Sequence, residues 1–218
     1  MKILFVEDEL EKNIPRLLRL FKKYLYKPQR QELKALEDDP SGYGATPEQI
    51  KEIVERNDII RVAYRFPDAL KEILDHYQQY ALFIIDRNLS LSDYDYEEAN
   101  QLDPLFTDAQ YNKFFEREGD YLLKKMSHLP DFKTMFYFLT AYSYDDEIRG
   151  KEDIQDLIDF DRLRAENFID KSNPDEINRL QNIIETQPML IIQNENQKYL
   201  EILKRRIGED ASVMSFMI

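Results

Sequence analysis

Ala81-Leu82-Phe83-Ile84-Ile85-Asp86 is the stretch on which the fold turns. Five apolar residues run without alternation and stop at a carboxylate. A short unbroken apolar run marks a strand covered on both faces, which is the habit of parallel sheets. Ile3-Leu4-Phe5-Val6 has the same character and ends in Glu7-Asp8-Glu9. Working outward, a second strand is expected at Ile59-Ile60-Arg61-Val62-Ala63-Tyr64. A fourth is expected at Met135-Phe136-Tyr137-Phe138-Leu139, ending at Thr140, and a short fifth at Phe168-Ile169, ending at Lys171.

Helical patterns separate these runs. Leu10, Ile14, Leu17, Leu18, Phe21 and Leu25 recur at steps of three and four, with Pro15 confined to the first turn of that helix. Residues 27–46 lose periodicity and carry the loop signal Asp38-Asp39-Pro40-Ser41-Gly42. Thr46-Pro47-Glu48-Gln49 then reads as a capping box with Pro at the first helical position, opening a helix to about Asn57. Pro67 opens another helix, with Ala69, Leu70, Ile73, Leu74 and Tyr77 on one face. Residues 90–106 are acidic and read as irregular, with Tyr94 and Tyr96 solvated. Thr107 and Gln110 form a further box that starts one long helix to Leu129, with Gly119 as a break on its apolar side. A polar helix is expected over 145–160, and Asn173-Pro174-Asp175-Glu176 caps one carrying Ile177, Leu180, Ile183 and Ile184. Residues 194–207 are read as helical too. Strand then helix, repeated, specifies an α/β fold: a parallel sheet with helices on both faces and a ligand site at the carboxyl ends of the strands.

Composition narrows the function. The 218 residues carry a formal net charge of −13. Binding a polyanion needs a basic surface that displaces counterions, so direct nucleic-acid binding is not expected, nor is attachment to an anionic membrane. Cysteine is absent, which removes disulfides, zinc–thiolate sites and thiol nucleophiles. Neither a secretory leader nor a membrane-spanning run is read from the sequence, and the expected compartment is cytoplasmic. His76 and His128 have no partner set that points to catalysis or metal binding.

The strand ends supply the chemistry. Glu7, Asp8 and Asp86 converge at one sheet edge, where a hard divalent cation with oxygen ligands relieves their repulsion. Lys171 and the Thr140 hydroxyl, arriving at the same edge, suit the remaining oxygens of a phosphoryl group. Asp86 is the expected nucleophile, giving an aspartyl phosphate.

Val6-Glu7-Asp8-Glu9, Ile84-Ile85-Asp86-Arg87-Asn88-Leu89, Leu139-Thr140-Ala141 and Phe168-Ile169-Asp170-Lys171 together resemble the receiver (response-regulator, CheY-like) family of two-component signalling. The resemblance covers roughly residues 1–186. It implies a flavodoxin-like, doubly wound five-stranded parallel sheet of order 2-1-3-4-5, with insertions near 27–58 and 90–106 and a helical tail or linker over 187–218. It implies Mg²⁺ held by Glu7, Asp8, Asp86 and the backbone carbonyl of Asn88. Thr140 and Lys171 would contact the phosphoryl group, and Phe168 would be a switch aromatic. It further implies a self-phosphorylating and autodephosphorylating receiver rather than an enzyme of the ordinary kind. The donor would be a histidine kinase or phosphotransfer protein. The output would pass to a downstream protein partner or effector, with the tail as linker, docking segment or contact of a homodimer. The family usually has Pro directly after the Lys, where this chain has Ser172.

Two other readings share these residues. One is a degenerate receiver, an unphosphorylated interaction module of the same fold; the complete acid, hydroxyl and lysine set argues against it. The other is a Mg²⁺-dependent enzyme of the haloacid-dehalogenase phosphatase or toprim nuclease kind. Each wants a second Asp two residues after the first, where Asn88 stands, and a toprim nuclease also wants a basic surface. The charge balance yields the first test: duplex DNA should not be retained in a gel-shift assay, and tight, salt-sensitive retention would contradict this reading.

Overall fold

The computed structural model describes residues 2–38, 44–89, 94–130, 134–141 and 165–187, with positions 192, 196, 199, 200 and 202 of the tail. Its centre is a five-stranded, all-parallel sheet: β1 (Lys2–Val6), β2 (Ile60–Ala63), β3 (Tyr80–Asp86), β4 (Met135–Thr140) and β5 (Phe168–Asp170). The order across the sheet is β2-β1-β3-β4-β5, the flavodoxin-like order expected. β3, at the centre, is buried at every position, which is why its sequence shows no alternation.

The two-residue period of the strands sorts the core into two layers. Ile3, Phe5, Leu82, Ile84, Tyr137, Leu139 and Ile169 point to one face. They pack there against α1 (Ile14–Leu20), α2 (Lys27–Glu37), α3 (Pro47–Glu55) and α8 (Pro174–Thr186). Leu4, Val6, Phe83, Ile85, Phe136, Phe138 and Phe168 point to the other. That face is covered by α4 (Phe66–His76), α5 (Tyr96–Leu102), α6 (Asp108–Phe114) and α7 (Glu118–Ser127). Among the described residues, no helix is long and apolar enough to cross a membrane.

Several local expectations needed correction. The stripe from Leu10 to Leu25 is buried as read apart from Leu18, which is half-buried, but it is a 3-10 turn (Leu10–Lys12), then α1, then turns, rather than one helix. α2 occupies residues read as aperiodic. Its inward stripe is thin because one core position is polar: Gln29 accepts from the Tyr26 amide at 2.8 Å and donates to the Ile53 carbonyl. α5 lies within the acidic segment read as irregular, capped by Asp95, whose carboxylate accepts from Glu97 N at 2.7 Å and Glu98 N at 3.3 Å. Tyr94 and Tyr96 are not solvated loop residues. Tyr94 lies 5.1 Å from Phe66, and Tyr96 lies 6.4 Å from Phe106, in an aromatic cluster laid over α4. The helix read over 145–160 lies outside the described residues, as does most of 187–218.

The single helix expected from Thr107 to Leu129 is two, α6 and α7, joined by a turn in which Glu116 takes φ +61°. The new helix start brings Gly119 onto the backbone that follows β3. A Cβ at Gly119 would lie 2.5 Å from the Asp86 carbonyl oxygen and 2.8 Å from Arg87 Cα. Helix propensity alone favours Ala over Gly by roughly 0.5–1 kcal/mol. Here the sign should reverse, because the clash is with backbone. Gly119→Ala should lower stability by about 1–3 kcal/mol in chemical denaturation, and a neutral or stabilising outcome would contradict this packing.

Candidate phosphoacceptor site

Strand register places the site. Val6 is opposite Ile85, so Glu7 and Asp86 leave the sheet side by side. Asp86 pairs with Leu139, which puts Thr140 one residue further along β4, and Thr140 pairs with Asp170, which puts Lys171 just beyond. The ladder runs on past each strand end. Glu7 N donates to Ala63 O at 3.1 Å, Arg87 N to Leu139 O at 3.1 Å and Lys171 N to Thr140 O at 2.8 Å. The side chains are therefore held by sheet hydrogen bonds rather than by free loops.

Glu7, Asp8 and Asp86 each offer a carboxylate oxygen, and these oxygens all lie within 4.8 Å of one another. Glu7 and Asp86 are buried and Asp8 is half-buried. The Lys171 ammonium contacts Asp86 Oδ2 and lies 3.4 Å from Glu7 Oε2. Arg16, on α1, reaches the same Glu7 oxygen at 3.2 Å. The other oxygen, Glu7 Oε1, is buried and meets no hydrogen-bond donor. Such an orphan is costly in a protein interior. A proton shared with Asp86 is one answer to it, and a hard cation among three carboxylates would be another, a donor set that fits Mg²⁺ as one of the oxygen-seeking divalent ions.

The electrostatics carry the same message. Burial first, then the charge of Asp86, pushes the Glu7 carboxyl up to about 8, against the opposing pull of Lys171 and Arg16. Burial also raises Asp86, against Lys171. Without a cation the pocket holds more negative charge than it can keep ionised.

Of the remaining expected residues, Thr140 is buried at the end of β4, and Asn88 is exposed, with its amide donating to Asp86 Oδ1 at 3.2 Å. Phe168 is buried with its ring 5.5 Å from that of Phe138. Ser172, not Pro, follows Lys171, and Asp170 builds the turn there. Its Oδ1 accepts from Ser172 N at 2.7 Å and from Ser172 Oγ at 2.6 Å, which holds the Asp170 carboxyl below its usual range.

Sequence reading named Gly119 only as a helix break and Arg87 only within the segment around Asp86, and it gave no role to Arg16, Glu118 or Asp120. Arg87 is buried, and its guanidinium makes a two-point pair with Asp120, Nε to Oδ1 at 2.8 Å and Nη2 to Oδ2 at 2.9 Å. Glu118 Oε2 accepts from Leu89 N at 3.1 Å. The one available signal was Gly119 itself, a glycine on the apolar side of a helix with a carboxylate on either side of it in sequence. No family model, curated protein or solved structure matches the chain.

The Glu7 shift fixes a pH dependence. With a folded value of about 8 against an ordinary 4.5, the folded protein keeps a proton that the unfolded chain has released over that window. Metal-free stability should therefore be highest at its acid end and fall as pH rises through it. Cation binding needs the proton off, so the Mg²⁺ gain should grow over the same range, reaching about 1.4 kcal/mol at roughly tenfold excess over Kd. Thermal melts at about pH 6 and about pH 8.5, with and without Mg²⁺, should show this in wild type and lose it in Glu7→Gln. A Glu7→Gln variant with wild-type pH and Mg²⁺ dependence would contradict the site.

Proposed function

We propose that the chain is an atypical phosphoacceptor receiver of a phosphorelay, phosphorylated on Asp86 in a Mg²⁺-dependent reaction and signalling through protein contacts. The observation that carries the reading is the Lys171 ammonium laid across Glu7 and Asp86, inside a three-carboxylate cluster, at the carboxyl edge of a sheet ordered β2-β1-β3-β4-β5. A solvated acidic patch needs neither the buried orphan oxygen of Glu7 nor a lysine brought from the far strand.

In this reading Glu7, Asp8 and Asp86, with the Asn88 carbonyl, would hold Mg²⁺, which when bound neutralises charge on the phosphoryl oxygens. An Asp86 carboxylate oxygen attacks phosphorus. The new O–P bond forms as the bond from phosphorus to the donor breaks, and the donor leaves with its electron pair. A phosphohistidine of a histidine kinase or phosphotransfer protein is the donor. Lys171 follows the negative charge from the carboxylate to a phosphoryl oxygen, and the Thr140 hydroxyl donates to another. Water later cleaves the same O–P bond and regenerates Asp86.

Output follows from where the two contacts sit. Thr140 ends β4 and Lys171 follows β5, and further back along the two strands Phe138 and Phe168 pair in register, with their rings 5.5 Å apart. A pull on both strand ends is felt by that aromatic pair, a bistable element for a downstream partner to read. The exposed apolar side chains Ile192, Tyr199, Leu200 and Ile202 in the tail suit a protein contact, a homodimer included.

Acetyl phosphate with Mg²⁺ should add one labile phosphoryl group by intact mass, and Asp86→Asn should abolish it. Labelling that persists in Asp86→Asn moves the phosphoacceptor elsewhere. No labelling of wild type leaves the unphosphorylated interaction module standing.

A further inference from the structure

We infer that the first turn of α7, Glu118-Gly119-Asp120, is a clamp that fixes residues 87–89 and through them orients the Asp86 carboxylate, so that it sets the cation affinity of the acidic cluster. The inference rests on the cation-dependent reading above and adds positioning residues to it.

Three consecutive residues grip one short segment, each by different chemistry. The Asp120 carboxylate holds the buried Arg87 guanidinium at two points. The Gly119 amide donates to the Arg87 carbonyl at 3.0 Å, an approach that a side chain would block. The Glu118 carboxylate accepts from Leu89 N through Oε2 and from Glu116 N at 3.2 Å through Oε1. The second bond also braces the left-handed turn at Glu116 that lets α7 start at this point. Arg87 and Leu89 are thus fixed on either side of Asn88, whose amide donates to Asp86 Oδ1. Holding Oδ1 from that side leaves Oδ2 turned to Lys171. The chain of force runs from α7 to segment 87–89, to the Asn88 amide, to the orientation of Asp86.

The Arg87–Asp120 pair is neutral as a unit, so its role is separable from the charge of the cluster. Replacing both by apolar residues of similar size, Arg87→Met with Asp120→Leu, keeps the local net charge and removes both ends of the buried pair, while Arg117, whose Nε lies 4.0 Å from Asp120 Oδ2, keeps its access to solvent. Glu118→Gln keeps shape and loses one of two acceptors.

The test is calorimetric titration of Mg²⁺ into the full chain, with acetyl phosphate labelling run alongside. Glu118→Gln and the Arg87→Met/Asp120→Leu pair should each weaken Mg²⁺ by about tenfold, the size expected for partners that orient a ligand. Both should retain cooperative melting without metal. A merely structural role would move the melting temperature and leave Kd alone, so folded variants with wild-type Kd overturn the clamp. Hydrogen exchange on wild type decides if the variants do not fold. The Asn88 and Leu89 amides should open together with those of Gly119 and Asp120, and Leu89 exchanging freely while α7 stays protected overturns the proposal. Wild type that binds Mg²⁺ but takes no phosphoryl group overturns the phosphoacceptor reading alone, with the clamp still judged on Kd. Wild type that binds no Mg²⁺ overturns both.

Discussion

Glu7 and Asp86 stand side by side because Val6 and Ile85 pair in the sheet, and their mutual repulsion is the constraint on which the rest of the site depends. Two carboxylates in a buried setting cannot both ionise without compensation. Three forms of compensation meet here. A proton is retained on Glu7, up to about 8. The cations of Lys171 and Arg16 arrive from β5 and α1, elements distant in sequence. The three-oxygen cluster with Asp8 is open to a divalent ion. The site is a local excess of negative charge that the fold tolerates because each available answer to it is reversible. A group that brings its own negative charge with its own cation can enter such a place, and a phosphoryl group with Mg²⁺ is that kind of visitor.

The parallel sheet makes this arrangement inexpensive in conformational terms. β1, β3, β4 and β5 end at one edge, so Glu7, Asp86 and Lys171 meet from three separate stretches of sequence, with Thr140 at the end of the strand between Asp86 and Lys171. Hydrogen bonds from Glu7, Arg87 and Lys171 extend the ladder one residue past the strands. The aromatic cluster of the 94–121 segment then covers the face under α4 and carries α7 into place against residues 86–89. Residues 94–106, which read in sequence as part of an acidic interruption, contribute α5 and aromatic packing to that layer.

Legibility in the sequence followed the physics of burial. β1, β3 and β4 were readable because strands covered on both faces are unbroken apolar runs, and their final residues named Glu7, Asp86 and Thr140. Lys171 was readable because the short apolar run Phe168-Ile169 ends two residues before it. α2 was not, because Gln29 sits where an apolar residue belongs and satisfies two backbone groups instead. α5 was not, because its cap, Asp95, is one acid in a run of them. The division of α6 from α7 turns on a left-handed Glu116 held by Glu118, a long-range consequence that no helical periodicity encodes. Arg87 lay in plain view beside Asp86, but the approach of Asp120, 33 residues away in sequence, is not visible from its neighbours, and losing one partner of such a buried pair costs about 3–5 kcal/mol.

The central claim is that Asp86 carries the phosphoryl group, and reductive trapping tests it most directly. Borohydride reduces an acyl phosphate at the carbonyl carbon that bears it, leaving a mark that peptide mass spectrometry can place. After acetyl phosphate and Mg²⁺, the account predicts that the reduced residue is Asp86 and that the mark vanishes when Mg²⁺ is withheld. Reduction at Glu7, at Asp8 or at a carboxylate outside the cluster, or reduction at Asp86 that is indifferent to Mg²⁺, would contradict it.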